Sequence, residues 1–103
     1  MKIIANAFSL QMLSSDGVVK IETLDLDTFK SESDGADSCI GHPDTARVVS
    51  DCLGRDVPCN RTNVSLNTGD ELYVAQLSGG RLPEGAKTLP DGFTFKWIKV
   101  TIQ

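Results

Sequence analysis

Apolar and polar positions change period several times along the chain, and each change marks an element. Residues 2–7 are mostly apolar and short, the pattern of a buried strand. Ser9 then precedes Leu10, Gln11, Met12 and Leu13, which places Ser9 as the N-cap of a one- to two-turn helix. Ser15-Asp16-Gly17 reads as a turn, and the β-rich stretch 18–22 as a second strand. Acids crowd residues 24–37, so only a helical turn over 26–30 is expected there, followed by an exposed loop through Ser33-Asp34-Gly35.

Ser38-Cys39-Ile40-Gly41 reads as a short strand end that runs into His42-Pro43-Asp44-Thr45. Proline at the first helical position and an acid in the first turn mark a helix start. Ala46, Val49, Cys52 and Leu53 then recur at helical spacing as one buried stripe, and Gly54 stops the helix. Residues 62–66 alternate, Asn67-Thr68-Gly69-Asp70 turns, and 71–77 is apolar again, so a hairpin is predicted. A long loop punctuated by glycine and proline covers 78–92. The closing strand, 93–102, puts Phe93, Phe95, Trp97 and Lys99 on one face and Thr94, Lys96, Ile98 and Val100 on the other. This order of elements predicts an α/β fold: a mixed sheet of five to six strands flanked by two or three short helices.

Composition narrows the picture further. The chain has 103 residues, 40% hydrophobic and 23% charged, which is one domain spanning 1–103 and not a disordered segment. A chain of this size buries roughly 65% of its unfolded surface, enough for one modest core. No apolar run reaches the ~18 residues of a membrane helix. The first apolar stretch is too short for a signal peptide, and Asn6 interrupts it. Neither membrane insertion nor secretion is expected, and the Asn60-Arg61-Thr62 and Asn63-Val64-Ser65 tripeptides read as accidents of a polar strand edge.

Fourteen acids against ten bases give a net charge of −4, and the bases form no stripe. Tracking of long DNA or RNA is therefore not expected. A phosphate ligand would be held by a few local groups. Three cysteines, Cys39, Cys52 and Cys59, make no CxxC pair, so the chain reads as a reduced cytoplasmic protein without a disulfide framework. Cys39 and His42 stand at C-x2-H spacing, but no second pair completes a zinc site. The acids of 25–37 lack the spacing of a calcium loop. Neither a metal nor a cofactor is expected.

Three features carry candidate chemistry. His42, the one histidine, falls at the N-cap of the 43–53 helix, where free N–H groups and the helix dipole favour an anion such as phosphate. A lone histidine in that place is more ordinarily a plain helix cap or a surface side chain. The 78–85 loop combines two glycines with Arg81 and Glu84. Arg81 suits bidentate phosphate contact or charge stabilisation, and Glu84 suits orienting His42 or accepting a ribose hydroxyl proton. A surface ion pair explains the same two residues. Ser9 suits phosphate contact or simple capping, and no GxSxG elbow supports a serine hydrolase.

Taken in order, Ala5-Asn6-Ala7-Phe8-Ser9, Ile40-Gly41-His42 with Asp44-Thr45, Asn60-Arg61, and Arg81-Leu82-Pro83-Glu84-Gly85 resemble the viral ring nucleases that act as type III anti-CRISPR proteins. The resemblance implies a small α/β homodimer that binds cyclic tetra-adenylate across its dimer axis and cleaves it without metal. By position it implies His42 as the catalytic acid, with Arg81 and Glu84 as the other catalytic residues. It implies ligand contacts from Ser9, Asn6, Thr45 and Gln76. Pro43 departs from the polar residue many relatives carry after the histidine, and the Gly79-Gly80 pair affects the register of Gln76. The alternative reading is a non-catalytic sponge for a cyclic nucleotide, which needs the arginine loop but no general acid.

Overall fold

The computed structural model describes residues 1–103. The elements run β1 (Lys2–Ala5), β2 (Val19–Leu24), α1 (Leu26–Glu32), β3 (Asp37–Ser38), α2 (Pro43–Leu53), β4 (Glu71–Ser78) and β5 (Thr94–Ile102). One 3-10 turn, Leu10–Met12, lies between β1 and β2. The strands form a single five-stranded sheet in the order β2-β5-β4-β1-β3. β1 is parallel to β3 and β4, while β5 is antiparallel to β4 and β2. The predicted α/β architecture, a mixed sheet with short helices, is the one observed.

Strands buried on both faces read as continuous apolar runs. Ile3, Ile4 and Ala5 of β1 and residues Leu72 to Ala75 of β4 are all buried. Alternation sends them to two separate cores. Ile4, Tyr73 and Ala75 join Phe29 of α1 and Ala46, Val49 and Leu53 of α2 on one face. Phe29 meets Tyr73 edge-on at 5.8 Å and Trp97 at 4.8 Å between ring centroids. The other face holds Ile3, Ala5, Leu72, Val74, Val100 and Ile102, and no α-helix covers it. Met12, Leu13, Val64 and Leu66 lie over that core as a strap of coil.

The two helices form where the local chemistry directs them. The Asp25 carboxylate accepts the Thr28 N–H at 2.7 Å and caps α1. That bond also holds the Asp25 carboxyl below its usual range. Pro43 opens α2, and Gly54 closes it in the left-handed region at φ 66°.

Several expectations are corrected by the coordinates. Residues 62–66 do not form a hairpin strand; their one ladder contact is a parallel bridge from Leu66 to Leu13. β4 pairs with β1 and β5 instead. The 67–70 turn does exist, with the Asp70 N–H donating to the Asn67 carbonyl at 2.9 Å, but it leads out of the strap and not out of a strand. β1 stops at Ala5, and the pairing that follows Ser38 is a single bond from the Cys39 N–H to the Ile4 carbonyl at 2.9 Å. Ser33 is buried, its hydroxyl accepting from Arg55 at 2.7 Å, so the exposed loop starts only at Asp34. Cys52 is half-buried, while Thr45 and Val48 join the buried side of α2. No helix is long and apolar enough to cross a membrane.

Candidate functional site

The parallel strands β1 and β4 end at the edge of the sheet where α2 begins. A crevice outside the carboxyl ends of parallel strands is where open α/β sheets place ligands. Here it is an open cavity of about 980 Å³, lined by Asn6 after β1, Leu77 of β4, the first turn of α2 and the loop from Arg81 to Gly85.

His42 is the N-cap of α2, with extended backbone at φ −123° and ψ 122°. Its carbonyl accepts the Ala46 N–H at 3.0 Å, but its imidazole makes no capping bond. The ring is exposed at the cavity instead. The approach to His42 is fixed from outside the sheet. The Asn60 N–H donates to the Ile40 carbonyl at 2.8 Å, and the Asn60 side-chain amide donates to the Ser38 carbonyl at 2.9 Å. Gly41 lets the stem of Arg61 lie against the backbone, since a Cβ there would stand 3.1 Å from the Arg61 Cγ. The Asn60-Arg61 pair thus acts as a clamp on the segment between β3 and α2 that delivers the histidine.

The 78–92 loop is anchored rather than regular. Leu82 is only 7% exposed. Gly79, at φ 117°, forms the neck, where a Cβ would stand 2.7 Å from the Gly92 carbonyl oxygen and 2.9 Å from the Phe93 Cα. The Ala86 N–H closes a turn on the Pro83 carbonyl at 3.1 Å. Arg81 and Glu84 are exposed on the cavity wall, and Thr45 lines it while 9% exposed.

Of the seven residues picked out from the sequence, this cavity gathers five: Asn6, His42, Thr45, Arg81 and Glu84. Ser9 and Gln76 are elsewhere in the single chain. Ser9 caps the 3-10 turn, accepting the Gln11 N–H at 3.3 Å. It lines a second cavity of about 560 Å³, with Gln11, Thr62, Asn63 and Ser65. Gln76 follows Leu72 and Val74 at strand spacing, so it belongs to the strap face of the sheet.

Two charged residues of the cavity are not among those seven: Asp44 and Arg47. The Asp44 Oδ2 accepts the Gly85 N–H at 3.2 Å, and its Oδ1 lies 3.9 Å from the Arg47 guanidinium. Their i,i+3 spacing on the first turns of a helix was a usable signal. Two arginines, a histidine, two carboxylates and the positive end of α2 then line one opening. Such a site suits a ligand carrying phosphate together with donor groups.

The strongly perturbed groups are towards the other end of β4, roughly 13–20 Å away along the strand. Lys99 lies 2.8 Å from Glu32 and 3.0 Å from Glu71, and the Tyr73 hydroxyl donates to Glu71 at 3.2 Å. Hydrogen bonds to Glu32 and Glu71 push Lys99 up, and burial pushes Tyr73 up to about 12. This network ties α1 to the sheet. Burial raises the Cys39 and Cys52 thiols, which disfavours their thiolates. No three His, Cys, Asp or Glu side chains converge to hold a metal ion.

Three comparisons bear on this arrangement. The family model described as STIV B116-like matches residues 2–92. Uncharacterized protein ORF117 of Acidianus two-tailed virus is 34% identical over 98 residues, which is 89% of this chain and 77% of that one. The structure of B116 of Sulfolobus turreted icosahedral virus matches with a TM-score of 0.81 and 28% identity, covering 97% of each chain.

Proposed function

This chain belongs to the STIV B116-like family of viral proteins, and within that family we propose that it is a metal-independent ring nuclease. Its substrate is cyclic tetra-adenylate, the second messenger of type III CRISPR defence. The observation that carries this reading is the convergence of His42, Arg81, Glu84, Asn6 and Thr45 on one open cavity at the N-terminus of α2.

The substrate carries its own nucleophile. A ribose 2′-hydroxyl attacks the adjacent phosphorus in line, forming the new P–O2′ bond as the P–O5′ bond breaks. Glu84 takes the hydroxyl proton, and His42 delivers a proton to the departing 5′-oxygen. Arg81 offsets the charge that builds on the phosphoryl oxygens. The products are linear adenylates with a 2′,3′-cyclic phosphate at one end and a 5′-hydroxyl at the other. No metal enters this scheme. A homodimer presents two such sites to one symmetric ring.

The test is incubation with cyclic tetra-adenylate in EDTA, comparing the native chain with His42→Ala. Cleavage to linear products that the substitution abolishes is the expected result. Tight binding without cleavage makes the protein a sponge, and neither binding nor cleavage removes the ring from consideration. A monomer by gel filtration in the presence of the ring removes the shared pocket.

A further inference from the structure

We infer that Asp44 is the positioning residue of this site, a latch that holds the 81–85 loop against the first turn of α2 so that Arg81 and Glu84 face His42. The inference rests on the reading of the cavity as the reaction site.

A carboxylate beside a pocket built for phosphate repels the ligand. Asp44 is nevertheless at the cavity, half-buried, with 17% of its side chain exposed. Its charge is only loosely balanced, since the Arg47 guanidinium is 3.9 Å away and itself half exposed to water, and a pair of that length and exposure contributes little. The Asp44 side chain also does not cap its own helix. It turns outward, and its Oδ2 accepts the backbone N–H of Gly85 at 3.2 Å.

That bond matters because the loop has few others. The internal bonds of 79–92 are the Ala86 to Pro83 turn and the Phe93 to Pro90 turn. Leu82 is its apolar anchor, and Gly79 packs its neck against Gly92 and Phe93. None of these fixes the stretch carrying Glu84 relative to α2. The Gly85 to Asp44 bond does, one residue beyond Glu84 and two residues beyond His42. A charged acceptor strengthens it, because hydrogen bonds to ionised groups are stronger than neutral ones.

Substitutions separate a latch from a mere charge. Asp44→Asn keeps an acceptor oxygen at the same place and removes the charge, while Asp44→Ala removes both. Amide exchange at Gly85 is read first, on the free protein. It is expected to speed up about fivefold in Asp44→Ala, the factor for one lost hydrogen bond, and by clearly less in Asp44→Asn, whose neutral oxygen is the weaker acceptor. Turnover of cyclic tetra-adenylate is read second. In Asp44→Ala, kcat is expected to fall roughly 100-fold, the scale of a small misplacement of catalytic groups, with KM changed much less. Asp44→Asn is expected to restore most of kcat.

Unchanged Gly85 exchange in Asp44→Ala overturns the latch. So does an Asp44→Asn enzyme as slow as Asp44→Ala, which would assign the effect to charge. If the native protein cleaves no ring at all, the reading of the cavity fails, and the exchange result still decides whether the latch exists. Circular dichroism on Asp44→Ala guards against simple unfolding, with Asp44→Asn as the folded control.

Discussion

The two faces of the sheet are closed in different ways. One is covered by α1 and α2, which bring Phe29, Ala46, Val49 and Leu53 onto Ile4, Tyr73 and Ala75. The other is covered by a strap of coil that brings Leu13 and Leu66 onto Ile3, Leu72 and Val100. Each cover also leaves a cavity. The helical cover leaves one lined by His42, Asp44, Arg47, Arg81 and Glu84, and the coil cover leaves one without a charged side chain. Directed chemistry is more readily built on the helical side. A helix start points several N–H groups the same way and adds a dipole. A coil strap satisfies its backbone piecemeal and projects hydroxyls and amides in no common direction.

The sharpest break of this comparison is a pair of substitutions, one at each cavity. His42→Ala is expected to slow ring cleavage by roughly 10²–10⁴, the usual worth of a general acid. Ser9→Ala, on the strap side, is expected to cost about 1 kcal/mol of local stability through the lost cap, with less than a tenfold change in rate. Equal losses in a turnover assay would erase the distinction between the cavities.

Packing distinguishes the faces next. Phe29→Ala removes a ring that contacts both Tyr73 and Trp97 and is expected to cost about 3–5 kcal/mol. Leu66→Ala removes a strap residue that is 1% exposed and is expected to cost about 2–5 kcal/mol. Urea unfolding of both variants tests the order, and a strap variant that loses more would make coil the better cover. Gly79→Ala comes third. Its methyl would meet the Gly92 carbonyl and the backbone strains at φ 117°, for an expected loss of about 1–3 kcal/mol.

The smallest effect is on pH. The Lys99 to Glu71 bond holds Glu71 low, and the Asn67 N–H holds Asp70 low. Their contribution is present above the ordinary carboxylate range and is lost as pH falls through the depressed values. At the other limit, Tyr73 and Lys99 are raised. Stability tied to them is complete below about pH 10 and is lost as pH rises, for Tyr73 towards its value of about 12. Thermal melts across pH are expected to fall off at both extremes. A Lys99→Met variant with an unchanged alkaline limb would remove that network from the account.

The helix face was largely legible in the sequence, the strap much less so. Pro43, Asp44 and Gly54 are local signals, so the bounds of α2 follow from chemistry within a few residues. The faces of β5 follow from strict alternation, with Phe95 and Trp97 against one core and Ile98 and Val100 against the other. Residues 62–66 alternate too, because Val64 and Leu66 turn inward. Alternation reports which side chains are buried and not which backbone supplies the hydrogen bonds. A strap over a sheet and a strand within it therefore read alike. At the site, five residues share the cavity although up to 78 positions separate them in the chain; local chemistry marks His42, Arg81 and Glu84, and only the order of the motifs marks Asn6 and Thr45. Gln76 is separated from them by strand parity, which a one-residue change in register reverses. The sequence marks Asp44 as a helix-start acid and a motif residue but assigns it no role at the site, since its bond to Gly85 crosses 41 residues and has no local signature.

The imidazole of His42 caps nothing, and the carboxylate of Asp44 is engaged by the loop. The first turn of α2 therefore has no side-chain cap at its N-cap. An oxyanion bound there would become a structural part of the helix, and folding and occupancy would then be one linked equilibrium. At a hundred times its dissociation constant, such a ligand adds about 2.7 kcal/mol to the stability of the whole domain. The melting temperature then reports occupancy directly, whether or not the ligand is ever cut.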